Sequence, residues 1–347
     1  MEDTNNNNES SKSNDSDLPS SSTSGIGVSD AQNNLNIAFR YFSYLNPLTI
    51  RKRSTKVKAF FCLALVCFFW GTTWIAAKEG VRNMPAIQMA GIRQFFGGLC
   101  YVIFFLAKKT ALPKGKEWWG IIILSILNFM LSNALSTWGV QYISSGLGSI
   151  IGAIFPLWLV IIALFISKTK LKSNTIIGLL TGFAGICFIF YEHLQDFRNP
   201  DFRFGIFLSL ASTWSWAFGT IYTKKHAAHF NPYFGLGIQM LISGVTLFAG
   251  SHVTGNAISI AEIPWQSWTA IAYLVLFGSI ISFIAYLYAL QNLSTEQASL
   301  YAYINPIVAV LLGAIIFGEI LTGYIIVGVL ITLCGVYLVN KSAVKIK

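Results

Sequence analysis

One cation and no anion sit deep in the apolar runs of this sequence. Arg93 lies eight residues beyond Pro85 in a largely apolar segment, about 12 Å along a helix that rises 1.5 Å per residue. A guanidinium held there must be satisfied by a carboxylate or phosphate on a bound solute, or by backbone carbonyls of a neighbouring helix, and both readings stand at this point. Outside the N-terminal 50 residues, every carboxylate falls in a loop or at a helix end: Glu79, Glu117, Glu192, Asp196, Asp201, Glu262, Glu296 and Glu319. Proton and sodium coupling commonly use carboxylates at mid-depth, so exchange or downhill export is expected rather than a carboxylate proton relay. His193, His226, His229 and His252 sit at or beyond the ends of apolar runs, and the pair His226/His229 lacks the two further ligands a metal needs. Cys62, Cys67, Cys100, Cys187 and Cys334 all lie inside apolar runs with no metal-ligand or redox spacing, as small buried hydrophobes do. No metal and no cofactor is expected.

The remaining candidates are aromatic, small or hydroxylic. Trp70 and Trp74 are four apart and share a helix face, and Trp216 stands at equal depth in a later run. They are expected to wall a cavity suited to an amphipathic or aromatic solute, with Ser132, Trp138, Ser282 and Tyr286 in the same cavity. Pro156 and Pro306 fall in the middle of two equivalent runs, where each removes a helix hydrogen bond and frees backbone groups that are tolerable only against protein or a wet cavity. They are hinge candidates, and Ser149, Gly152, Ser299, Tyr301, Tyr303 and Asn305 beside them are candidate solute contacts. Gly148-Ser-Ile-Ile-Gly152 and Gly178-Leu-Leu-Thr-Gly182 also fit close helix packing. Trp118, Trp119, Trp265 and Trp268 fit an interfacial belt.

The elements that must hold these residues are membrane helices. Hydrophobic residues make up 54% of the chain, charged residues 11%, and mean hydropathy is +0.60, where a soluble domain carries roughly 25% charged residues. The net charge of +10 does not point to nucleic acid, because the basic residues form short clusters between apolar runs rather than one continuous face. A bilayer core of roughly 30 Å is crossed by about 20 apolar residues. Ten runs of that kind occur, at about 59–78, 85–107, 118–138, 144–166, 174–192, 204–223, 232–251, 268–290, 297–318 and 321–340. Residues 1–50, rich in Asn and Ser and holding six carboxylates, are expected to form a disordered tail without the pattern of a cleavable signal peptide. Counted with that tail inside, seventeen Lys and Arg face the cytoplasm and four face out, which sets both termini in the cytoplasm.

The chain is also written twice. Displaced by 150 positions, Trp118 meets Trp268, Ser132 meets Ser282, Gln141 meets Gln291, Pro156 meets Pro306, and Gly178 and Gly185 meet Gly328 and Gly335. Nearer the start, an offset of 146 to 147 pairs Trp70 with Trp216, Lys78 with Lys224 and Pro85 with Pro232. Each unit holds five spans, and an odd number sends the second unit into the membrane from the opposite side. The expected fold class is all-α, a polytopic membrane protein of ten transmembrane helices arranged as two inverted five-helix repeats, a symmetry shared by many secondary transporters.

Over about residues 59–340 the sequence resembles the drug/metabolite transporter superfamily, in its ten-helix branch with two EamA-like domains. The resemblance is carried by Phe69-Trp70-Gly71, Arg93, Pro156, Pro306, Phe317-Gly318-Glu319, Gly328 and Gly335. Two departures are Phe155 and Asn305, where family members often put Glu before the proline, and Ser167-Lys168 in the first half, where the second has Glu319. The resemblance implies repeats at 59–192 and 204–340 in a bacterial plasma membrane. It also implies export of a small-molecule solute such as an amino acid or a drug-like amphipath. Sugar-phosphate or nucleotide-sugar exchange, known in the same superfamily, is the alternative and would want more than one basic group in the cavity. An intramembrane enzyme would need a nucleophile with its base, paired carboxylates or metal ligands at depth, and a sensor would need a folded domain outside the membrane. The sequence shows neither, and it does not set the oligomeric state.

Overall fold

A computed structural model describes residues 47–167, 173–192, 194–226, 230–293, 295–298 and 301–343. The chain divides into two compact units, Met1–Ser54 and Thr55–Lys347. In the first, residues 47–54 are helical. The second holds the membrane helices, with no strand among the described residues: α1 (Thr55–Gly80), α2 (Ala86–Ala107), α3 (Glu117–Tyr142), α4 (Ser145–Gly152), α5 (Phe155–Ser167), α6 (Ser173–Glu192), α7 (Pro200–His226), α8 (Pro232–Val253), α9 (Trp265–Asn292), α10 (Thr295–Ala298), α11 (Tyr301–Phe317) and α12 (Gly323–Ala343).

Helices α1, α2, α3, α7, α8 and α9 are each long and apolar enough to cross a membrane, and four shorter apolar stretches, Ser145–Leu159, Ile176–Tyr191, Ile304–Phe317 and Gly323–Leu338, fall in the other expected runs. Helix is the form these runs must take, since lipid offers backbone groups no partner. Their ends are marked chemically. Asn231 accepts from the amides of Tyr233 (3.0 Å) and Phe234 (3.2 Å) ahead of Pro232, as a side-chain cap followed by a first-turn proline should. Gly318, at φ +67°, turns the chain out of α11.

Two features depart from uniform spans. The fourth does not run through Pro156: the chain turns at residues 153–154 and α5 begins at Phe155. Pro156 therefore sits in a first turn, where its missing N–H costs no intrahelical bond, whereas Pro306 does lie within a helix. The second is that Ser125–Ala134 in α3 and Leu274–Ile281 in α9 are π-helical. The two segments start almost one repeat length apart, so the same widened turn, which often marks functional positions, occurs once in each repeat.

Glycines fix how the repeats meet. Gly91 of α2 abuts Phe248 of α8, Gly98 abuts Leu241, and Phe95 abuts Gly244. As one number rises the other falls, so these equivalent helices run antiparallel. On α6 and α12, Gly185 abuts Thr332 and Gly182 abuts Gly335 in the same antiparallel sense. Antiparallel equivalents are what inverted repeats require. A Cβ on Gly335 would enter the Gly182 backbone and lie 2.7 Å from the Gly178 carbonyl, atoms that cannot move aside like a side chain. Gly335→Ala should cost roughly 1–3 kcal/mol, seen as a lowered melting temperature in detergent. Gly120→Ala, where nothing lies within 4 Å, should melt unchanged or slightly higher because alanine favours helix. Equal melting of the two variants would contradict the α6–α12 crossing.

Candidate functional site

The two tryptophans related by the repeat touch. Trp70 and Trp216 meet edge to face at 6.1 Å, and residues that a two-fold relates can touch only near its axis, so this pair marks the centre of the bundle. Around Trp70 stand Phe283 (5.2 Å), Tyr286 (5.0 Å) and Tyr301 (5.0 Å). The indole nitrogens are anchored: Trp70 Nε1 donates to the Gly278 carbonyl (3.2 Å) and Trp216 Nε1 to the Tyr301 hydroxyl (3.1 Å). Such anchors hold large rings in fixed poses against an apolar surround.

Cavities lie on both sides of this aromatic group. The larger, about 600 Å³, reaches from Trp216, Phe283 and Tyr286 past Asn128 and Gln239 to Lys114, Lys116 and Trp119 at one end of the bundle. That volume suits a metabolite-sized ligand. The second, about 160 Å³, is lined by Trp70, Trp74, Arg93, Ser132, Ser149, Gly152, Phe155, Trp216, Phe283, Tyr301 and Asn305, among others, and extends along α1 as far as Ala77. Trp216 and Phe283 belong to both linings.

Beyond Ala77 polar contacts tie helix ends together. The Lys78 ammonium donates to the carbonyls of Val140 and Ile143, both at 2.7 Å. At the same end Glu319, turned back by Gly318, accepts from the Ser145 amide (2.9 Å), the Ser145 hydroxyl (2.8 Å) and the Gly146 amide (3.2 Å). A carboxylate on the first amides of α4 satisfies free donors and complements the helix dipole. It joins the second repeat to the first. Arg82 adds a cation–π contact over Phe317 at 4.3 Å.

Arg93 is 6% exposed. Its Nε donates to Ser279 Oγ (3.1 Å) and its Nη1 to Asn133 Oδ1 (3.0 Å), so neutral side chains of α9 and α3 hold it. Of the two partners the sequence allowed, backbone carbonyls are not among its acceptors in the described residues. Room for the guanidinium is made by Gly278, where a Cβ would lie 2.9 Å from Nη2.

The other sequence candidates distribute as follows. Trp74 packs against Gly148 and Gly152, whose missing side chains admit its ring, so these glycines serve packing and cavity shape together. The Asn305 amide faces the carbonyls of Cys67 (2.9 Å) and Tyr301 (3.1 Å). Ser282 is fully buried and donates within its own helix to the Phe277 carbonyl (2.5 Å). Trp138 packs edge to face on Phe204 at 5.1 Å. Neither of these two is brought to a cavity wall. The side chains of Tyr303 and His226, with Lys168, His193, His229 and Ser299, lie outside the described residues. Sequence reasoning did not single out Asn133, Ser279, Gly278, Phe283 or Asn128. Only Asn133 had a readable signal, a polar residue next to Ser132 in an apolar run.

The EamA-like transporter family model matches residues 57–191 and again 203–341. The inner membrane transporter YedA of Escherichia coli K12 is 32% identical over 257 residues, covering 74% of this chain and 80% of YedA. The transporter YvbV of Bacillus subtilis is 27% identical over 295 residues, covering 84% and 94%. A crystal structure described only as that of a protein matches 85% of this chain and 100% of its own with a TM-score of 0.60 at 14% identity, a likeness of fold. With two family matches over most of its length, helices built to cross a bilayer and paired cavities at its centre, this chain belongs to the EamA-like transporter family.

Proposed function

We propose that the protein is a secondary carrier that exports a small metabolite, an amino acid or similar amphipathic solute, by alternating access between two repeats at 59–192 and 204–340. The observation that carries this reading is the pair of cavities about the aromatic centre, one reaching an end of the bundle and the other lying toward the end where Lys78 and Glu319 tie helix ends together. A channel would need a continuous path. A carrier needs a site sealed on one side at a time, and inverted repeats supply both shapes from one design. The excess of Lys and Arg in the segments around Lys114 and Lys116 supports a larger cavity open to the cytoplasm and both termini on that side.

The test is reconstitution into lipid vesicles loaded with a broad metabolite mixture. One solute, or a small chemically related group, should leave faster than from protein-free vesicles. In cells, a cysteine placed between residues 108 and 116 should react with an impermeant reagent only after permeabilisation. No accelerated efflux would count against the carrier, and labelling of intact cells would reverse the orientation.

A further inference from the structure

We infer that the transported solute is itself the counter-ion of Arg93: a small organic molecule with one carboxylate and an apolar body, its charge selected by the neutrality of Asn133 and Ser279. The inference rests on the carrier reading and names its substrate class. Among the described residues, no carboxylate stands within ion-pair distance of Arg93, and its two protein acceptors carry no charge. Of the five guanidinium N–H groups two are so used, and Nη2 has no acceptor among the described residues although the side chain lines the smaller cavity. A buried, uncompensated cation is costly in a membrane interior. The N–H groups left over, those of Nη2 and one on Nη1, match a carboxylate better than a neutral group.

The repeat gives an independent second observation. Carried forward by the Pro85-to-Pro232 step of 147 positions, Arg93 becomes Met240; carried by 150, Asn133 becomes Phe283, and Ser279 is itself the image of Phe129. Met240, Phe283 and Phe129 pack together as one apolar cluster, and the Phe129 and Phe283 rings lie 5.6 Å apart. Thus each member of the polar triad has an apolar residue as its image in the other repeat, and these images form one packed cluster against which Trp70 and Trp216 also lie. Beside Arg93 the walls of the smaller cavity are aromatic, with Trp70, Trp74, Phe155, Trp216 and Tyr301 among them, which suits a molecule with one anionic end and one hydrophobic end. A dianion such as a phosphate ester would find no second cation in the lining.

Three probes share a body and differ in charge: 3-phenylpropanoate, 3-phenylpropanamide and 3-phenylpropylamine. Calorimetric titration of the purified full-length protein should show the carboxylate bound at least tenfold more tightly than the amide or the amine. Asn133→Asp, nearly isosteric, supplies an internal counter-ion. It should keep or raise the melting temperature, weaken the carboxylate at least tenfold and leave the amide within about twofold. A purely structural Arg93 would gain the same stability without that change of preference. Equal binding of carboxylate and amide by the wild-type protein overturns the inference, as does an Asn133→Asp variant that still prefers the carboxylate. If none of the probes binds, the substrate class is overturned too. The carrier reading is judged separately, by efflux of the metabolite mixture.

Discussion

Replacing Arg93 by Gln is expected to lower transport of the solute at least tenfold while the protein inserts and melts almost as before. Gln keeps much of the length and one donor group but removes the charge. A charge-assisted hydrogen bond is worth about 1.5–3 kcal/mol, or roughly 10- to 150-fold in affinity. Stability should change little, because what the variant loses toward Ser279 and Asn133 is offset by no longer burying a guanidinium. Flux per folded molecule, measured in vesicles beside a melting curve, separates the effects. A clear fall in melting temperature with unchanged flux per folded molecule would make Arg93 a structural clamp and remove it from the site.

The second large effect is expected at the end tied by Lys78 and Glu319. Glu319→Ala strips the acceptor from the Ser145 amide and hydroxyl and from the Gly146 amide. Loss of a bond network of this kind costs on the order of 2–3 kcal/mol, and only the shape in which α4 and the end of α11 meet bears that cost. The balance should therefore move toward the shape open at this end by roughly 30- to 150-fold. A cysteine at Ser149, which is 2% exposed and lines the smaller cavity, reports the change in an otherwise cysteine-free protein. Impermeant reagent applied from the Glu319 side should label it much faster in the Glu319→Ala background. If labelling stays slow and the melting temperature drops instead, the contact holds the fold together and does not gate it.

The helices were readable because lipid leaves few alternatives: an apolar run of about 20 residues must satisfy its own backbone, and helix does so. The doubling was readable from prolines and glycines that keep one register. The site was less so, for physical reasons visible in particular residues. Trp70 and Trp216 could be paired by offset, yet the partners that fix them come from other helices: Tyr301 was legible beside Pro306, whereas Gly278 carries no local mark. Arg93 announced itself by cost. Its holders Asn133 and Ser279 lie 40 and 186 positions away and look like ordinary polar residues in apolar runs.

Backbone irregularities were the least legible. Pro156 and Pro306 share a register and differ in outcome, since the chain turns ahead of the first, whereas the second lies within α11. The π-helical turns of α3 and α9 leave no mark in the periodicity of either run. Ser282 illustrates the same limit: a serine in an apolar run can face a cavity or bond back to its own helix, and here it reaches the Phe277 carbonyl.

The central claim is that the protein carries solute through a site open to one side at a time, and counterflow tests it most directly. Vesicles holding the reconstituted protein are loaded with a high concentration of the solute found in the mixture experiment, then diluted into a trace of the labelled form. The account predicts that label accumulates transiently above its outside concentration, that the overshoot needs unlabelled solute inside, and that it saturates. Uptake that rises only to equilibrium, regardless of internal solute and in proportion to concentration, would contradict a carrier and indicate an open pore.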